Sequence, residues 1–368
     1  MRTTLLDAAA QSTLDRYGFV VIPFLGPDEV SDLLAVHREI GRSADDPGRA
    51  LFFGFHSSSY EQKRAVADAI EQRIGHHLDA VFDRHTSYLT MFITKWPGPD
   101  SGFGPHQDPT LVDERHVRGV AIWIPLVDVG AGEVDNGMLY VVPGSHRFVQ
   151  AARVRDVNES VFAPHEQAIL EEFGRGIPMR AGEGIVFDDR LIHYSLPNSS
   201  DQPRPVVTFA LRPSEQSCVF LRDDGAGGID QYEIEDERFL DILPSAQHHW
   251  VPDSEPTAKL DPPTVQLTAD EFAELCRSVG DAPRATVVPA ITVPGSIKVD
   301  PGLFCAYCGS TDGIDPVDRS GHGKAQLMCR SCEATRGSPD ALRHRGQPLD
   351  ATTRRGWRRL LPTARSER

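Results

Sequence analysis

His106-Gln107-Asp108 sets an imidazole and a carboxylate two positions apart, and a second histidine, His193, follows 85 residues after Asp108. On an extended segment residues two apart point the same way, so His106 and Asp108 can face one ion. Two imidazoles and a carboxylate on one face of a metal leave three positions open, the arrangement of non-haem Fe(II) oxygenases. Those positions admit a chelating cosubstrate and O2. Alone, the H-x-D triplet says little, because a solvated loop histidine beside an acid is common. The surroundings of His193 sharpen it: Ser195 lies two residues further on and Arg204 eleven. An arginine fork with a nearby hydroxyl grips a carboxylate, as an iron-bound 2-oxo acid with a distal carboxylate requires. Lys95, ending LTMFITKW, is either a further cation for an anionic substrate or cosubstrate, or a strand-end lysine in solvent.

Cysteines form a second constellation. Cys305-x2-Cys308 and Cys329-x2-Cys332 are two C-x-x-C pairs with twenty residues between them. This spacing matches tetrahedral thiolate ligation of zinc in a small ribbon. A closed four-thiolate site has no open position, so the zinc expected here is structural, and its binding energy folds a module too small for its own core. His322 is surplus to such a site, and His248 and His249 have no spaced partner. Cys218 and Cys276 stand alone.

The elements that must position these residues begin with a short β-branched and aromatic run, YGFVVIPFL, broken at Gly26-Pro27. Apolar spacing predicts helices over 28–40 and about 59–82. From Tyr88 the texture changes to short strand-like runs separated by Gly and Pro: LTMFITKW, VRGVAIWIPLVDV, GMLYVVPG, GEGIVFDD and PVVTFALRP. Strands at such spacing without alternating helices predict an antiparallel barrel or sandwich. His193 closes the run GIVFDDRLIH. The loop 112–117 and the segment after Arg212 are candidate lids. Beyond about Asp241, Pro-rich stretches read as a linker, interrupted by a capping box, Thr268 to Glu271, that opens a helix through Val279.

Composition bounds the answer. The 368 residues are 40% hydrophobic and 25% charged, an ordinary globular balance with no apolar run long enough to span a bilayer. No basic region followed by an apolar stretch opens the chain, so a cytoplasmic protein is expected. A formal charge of −15 argues against a chain-wide nucleic-acid surface, although 333–368 carries nine arginines against four acids.

The chain resembles the phytanoyl-CoA dioxygenase (PhyH)-like family of Fe(II)/2-oxoglutarate-dependent dioxygenases. The matching segments are YGFVVIPFLGPDEV, GPHQDPTLVDE, WIPLVDV with DNGMLYVVPGSH, and GEGIVFDDRLIHYSLPNSSDQPR, spread over roughly the first 220 residues in the right order. The resemblance implies a mainly β protein with flanking helices, a double-stranded β-helix (jelly-roll, cupin-like) core. It implies that His106, Asp108 and His193 bind iron and that Arg204 with Ser195 holds the 2-oxoglutarate C5 carboxylate. Trp123 and Asn136 sit on strands that line the pocket in similar enzymes; core or turn roles serve them equally well. Halogenating relatives replace the carboxylate ligand by a small residue, so Asp108 favours hydroxylation or another oxidative outcome.

The expected organisation is a dioxygenase domain over 1–245, a Pro-rich linker with a short helix over 246–300, the zinc ribbon over 301–336 and a basic tail over 337–368. The expected activity is hydroxylation of a small molecule (a specialised metabolite, an amino-acid derivative or an acyl thioester) using Fe(II), 2-oxoglutarate and O2. Two other readings stand beside it: an oxygenase recruited to a protein or nucleic acid by the ribbon, and a non-catalytic ribbon interaction protein. The ribbon would meet a protein partner or a second copy; a membrane is not expected, and the acidic catalytic region disfavours nucleic acid.

Overall fold

The computed structural model describes residues 2–41, 49–57, 59–132, 134–148, 152–154, 162–235, 254–261, 267–280, 286–287, 314–317 and 326–329. The chain divides into two compact units, Met1–Leu243 with Val251–Gly302, and Pro244–Trp250 with Leu303–Arg368. In the second unit the described residues form one antiparallel hairpin, Ile314–Val317 with Gln326–Cys329. Cys329 ends its second strand; Cys305, Cys308 and Cys332, and with them the zinc expectation, lie outside the described residues, as do His248, His249 and His322.

Two stacked sheets make the body of the first unit. The larger is six-stranded, in the order β1 (Phe19–Pro23), β8 (Glu183–Asp188), β5 (Val120–Pro125), β10 (Arg204–Pro213), β3 (His85–Lys95), β2 (Leu51–Phe53). The smaller runs β14 (Thr286–Val287), β7 (Arg175–Ile177), β6 (Leu139–Val141), β9 (His193–Ser195), β4 (Phe103–His106). Every pairing within them is antiparallel. From β3 to β10 the chain visits the sheets as large, small, large, small, small, large, small, large. That palindromic alternation is the winding of a double-stranded β-helix, the jelly roll.

Side-chain alternation then assigns two cores. On β5, Val120, Ile122 and Ile124 join Val207, Phe209 and Leu211 of β10 in a layer beneath the helices, whereas Ala121 and Trp123 face the space between the sheets. β5 is buried along its whole length, so it reads as one apolar run without alternation. The covering helices are α1 (Ala8–Tyr17), α2 (Pro27–Ile40), α3 (Tyr60–Ile74) and α4 (His76–Val81). Asp7 caps α1, Pro27 opens α2 and Ser59 caps α3. The helix expected over 59–82 divides at Gly75, a poor helix former.

Three expectations change. The run GIVFDDRLIH is not one strand: β8 stops at Asp188, the chain turns, and His193 opens β9 in the other sheet. The segment after Arg212 is no lid. It folds as a three-stranded sheet, β11 (Cys218–Asp223), β12 (Ile229–Ile234) and β13 (Ala258–Leu260), because Val219, Leu221 and Ile229 bury themselves against Val154. The expected linker supplies β13, β14 and the helix Ala269–Ser278 to this unit. Thr268 and Glu271 form the expected capping box, and Phe272 packs among Phe148, Phe162, Phe173 and His165.

Phe209→Ala, emptying a fully buried site beneath the helices, is expected to cost about 3–5 kcal/mol in urea denaturation. Burial lowers the pKa of His37, His85 and His146 from 6.5 to about 4. Between those values the unfolded chain binds protons that the folded chain does not, so stability falls as pH drops from about 6.5 towards 4. Urea midpoints at stepped pH check this, and His37→Gln should flatten the slope.

Candidate functional site

β4 and β9 are neighbours, and their register sets His106 opposite His193 with ring centroids 4.2 Å apart. Asp108, just past the end of β4, brings Oδ1 to 3.8 Å from His106 Nε2 and 3.9 Å from His193 Nε2. The three donor atoms all lie within 4.8 Å of one another. Each ring is fixed from behind. His106 Nδ1 sits 2.9 Å from the Gly104 carbonyl, and His193 Nδ1 2.9 Å from that of Leu191. A carbonyl only accepts, so Nδ1 carries the proton in both rings and Nε2 turns its lone pair inward. Burial, and then the His193 ring, hold His106 well below the usual histidine range, which keeps it a neutral ligand.

The ligand loop is docked on the turn that delivers His193. The Asp108 N–H donates to the Asp189 carbonyl at 2.9 Å, and the Gln107 amide donates to the Arg190 carbonyl. The turn itself is closed by a buried fork: Arg190 Nε donates to Asp188 Oδ1 at 2.8 Å and Nη2 to Oδ2 at 2.7 Å. Arg118 adds a contact to Asp188 Oδ2 at 3.1 Å. Burial alone would raise the Asp188 pKa; its bonds to Arg190 and the two guanidinium charges reverse this and leave it lowered. Asp189 is pushed well up, by burial and then by Asp108 and Glu114.

A second group of candidate residues lies on the inward face of the larger sheet. Arg204 and Lys95 are register partners there, both buried. The Arg204 guanidinium lies 5.1 Å over the Trp123 ring, and its Nε and Nη1 have no hydrogen-bond partner among the described residues. Burial lowers its pKa to about 9, which still leaves it charged at neutral pH. Burial, and then the charge of Arg204, lower Lys95 well below the usual lysine range. Gly137 borders both: its φ is +85°, and a Cβ there would meet Lys95 Cδ at 2.6 Å and Arg204 Nε at 3.3 Å. Ser195, two residues along β9 from His193, faces the same side as that ligand.

The structure thus brings His106, Asp108 and His193 together, and Arg204, Lys95 and Trp123 together. Lys95 is neither a solvent lysine nor a free cation. Its Nζ donates to the Ser195 and Leu196 carbonyls at 3.0 and 2.6 Å, tying β9 to the larger sheet. Asn136 is not on a strand; its amide donates to the Asp128 carbonyl at 2.8 Å and accepts from the Gly130 N–H at 3.4 Å, holding a turn. The loop 112–117 is anchored by buried Val112 and Val117. Sequence reasoning missed Asp188 and Arg190, whose fork exists only once the turn between β8 and β9 is folded, and Glu114 and Arg153, which meet from 39 residues apart. Glu29, His76 and His77 also gather three donor atoms. Glu29 accepts from the Gly26 N–H at 2.8 Å and from His77 Nε2 at 2.6 Å, so that carboxylate closes the first turn of α2 and ties it to α4. Asn136→Ala should cost about 1 kcal/mol in denaturant melts and leave metal and dicarboxylate binding unchanged in calorimetric titrations.

Residues 14–206, more than half of the chain, match the family model "Phytanoyl-CoA dioxygenase (PhyH)". Phytanoyl-CoA dioxygenase domain-containing protein 1 of Danio rerio is 27% identical over 146 residues, covering 35% of this chain and 45% of that protein. Its namesake in Rattus norvegicus is 31% identical over 128 residues, covering 33% and 43%. The chain therefore spans less than half the length of these curated relatives. Among solved structures, the epimerase SnoN in complex with Fe3+, alpha ketoglutarate and nogalamycin RO is 21% identical with a TM-score of 0.44, over 72% of this chain and 96% of that one. No helix among the described residues is long and apolar enough to cross a membrane. With the family model running from α1 to the start of β10 and so across the segments that carry His106, Asp108 and His193, the chain belongs to the phytanoyl-CoA dioxygenase family.

Proposed function

We propose that this chain is an Fe(II)- and 2-oxoglutarate-dependent dioxygenase that hydroxylates a small molecule and releases succinate and CO2. One observation carries the reading: Arg204 is only 2% exposed and keeps two guanidinium nitrogens without hydrogen-bond partners among the described residues, on the sheet face that packs against the smaller sheet, whose strands carry two of three convergent metal donors. Unsatisfied buried donors are costly, so the charged Arg204 guanidinium favours an anionic partner. A 2-oxo dicarboxylate fits both demands at once, one end for the metal and the other for Arg204. Family membership supports the same assignment.

Iron and 2-oxoglutarate, when bound, supply oxidative attack on a C–H bond coupled to decarboxylation. His106, Asp108 and His193 would hold the metal and leave open positions. Arg204 would grip the far carboxylate with the Ser195 hydroxyl beside it, while Trp123 backs the guanidinium and Lys95 fixes the β9 main chain. With Asp108 in place the carboxylate ligand is kept, so hydroxylation is favoured over halide transfer. A specialised metabolite, an amino-acid derivative or an acyl thioester remains the substrate class. On spacing alone, Cys305, Cys308, Cys329 and Cys332 hold a structural zinc; one zinc per chain by elemental analysis, lost in Cys308→Ser, checks it.

Anaerobic addition of Fe(II) and then 2-oxoglutarate should give the weak visible charge-transfer band of the chelate. His193→Ala should abolish it. Arg204→Ala should raise the 2-oxoglutarate needed for half-saturation roughly thirtyfold or more, since truncating one side of a buried charge pair costs about 2 kcal/mol or more. Iron bound without a band would sink the proposal.

A further inference from the structure

The short strap 152–154 lies between the β11–β13 sheet and the metal-ligand loop. Its side chains alternate: Ala152 and Val154 pack against Val219, Leu221, Ile229 and Leu260, while Arg153 points the other way. The Arg153 main chain is bonded to Thr110 at both ends, its N–H to the Thr110 hydroxyl at 3.0 Å and its carbonyl to the Thr110 N–H at 3.1 Å. Its side chain reaches back to the metal ligand, Nε donating to the Asp108 carbonyl at 2.5 Å. The remaining edge of the guanidinium forks onto Glu114, Nη1 to Oε2 at 2.9 Å and Nη2 to Oε1 at 2.5 Å. The two side chains are only 11% and 12% exposed. An arginine fork held on two sides has one orientation, which a flexible ammonium does not. The β11 strand joins the same assembly, the Val219 N–H donating to the Leu111 carbonyl at 2.9 Å.

We propose that Arg153 is a positioning residue for the metal-binding carboxylate, oriented by Glu114 and seated by the β11–β13 sheet. Asp108 is the one candidate ligand that lies beyond the end of a strand, so its main chain depends on anchors from outside the sheet where the histidines have sheet pairing. The Asp189 and Arg190 carbonyls hold the loop through the Asp108 N–H and the Gln107 amide, and Arg153 holds it through the Asp108 carbonyl. This inference rests on the metal-site reading above.

Full-length protein titrated with Co(II), followed by visible absorption, reads the site without turnover. Arg153→Ala is expected to weaken Co(II) binding roughly 10- to 100-fold, the usual effect of losing a support behind a ligand. Arg153→Lys and Glu114→Gln should each give a smaller loss in the same direction. Asn136→Ala, in a turn away from the strap, should lower the metal-free melting temperature by a few degrees (about 1 kcal/mol) and leave Co(II) affinity within about twofold. Co(II) affinity within twofold of wild type in folded Arg153→Lys and Glu114→Gln proteins overturns the inference, whether or not Arg153→Ala folds. His106→Ala separates the two failures: if it does not weaken Co(II) binding, the metal site itself is wrong; if it does, only the role of Arg153 is lost.

Discussion

The site depends on one buried turn. Between Asp188 and His193 the chain leaves the larger sheet and enters the smaller, and the Asp188–Arg190 fork closes that passage. The carbonyls of the turn then serve as a dock, Asp189 for the Asp108 N–H and Arg190 for the Gln107 amide. Both metal-ligand segments are therefore referenced to the same few backbone atoms, and the β4–β9 register repeats that reference between His106 and His193. A buried ion pair of this kind is a weak source of net stability, because desolvation offsets most of its attraction. Its consequence here is geometric: it sets where the second histidine begins.

The two facing sheets carry different groups. Two imidazoles stand on the smaller sheet with the Asp108 carboxylate beside them, whereas the larger sheet carries Arg204 and Lys95. Lys95 satisfies itself on two carbonyls, whereas Arg204 Nε and Nη1 have no partner among the described residues. Lys95 thereby serves the scaffold, tying β9 to the larger sheet. Trp123, stacked on the guanidinium, leaves Arg204 little freedom to seek another partner.

How far the sequence could be read depended on element length and on the separation of partners. Helices 28–40 and 269–278 announced themselves by period and by caps, and both formed. The long strands β3, β8 and β10 showed as apolar runs. β7 and β9 are three residues each, too short for a period of two to register, so the passage of His193 into a second sheet was invisible. β13 gave no signal because three residues of an otherwise proline-rich stretch gain strand character only by pairing with β12.

The amino-acid sequence by itself pointed to His106, Asp108 and His193 as one group, because an H-x-D pair and a later histidine are ligand types, and the structure gathers their donor atoms within 4.8 Å. It also determined that strands, not alternating helices, would carry them. The tertiary structure alone decided which groups are committed elsewhere. Lys95 and Asn136 found backbone partners, Arg153 found Asp108 from 45 residues away, and Arg204 keeps two nitrogens without a partner among the described residues. Such outcomes depend on which carbonyls arrive within about 3 Å of a buried donor, and that is a property of the closed sandwich, absent from any local stretch of the chain.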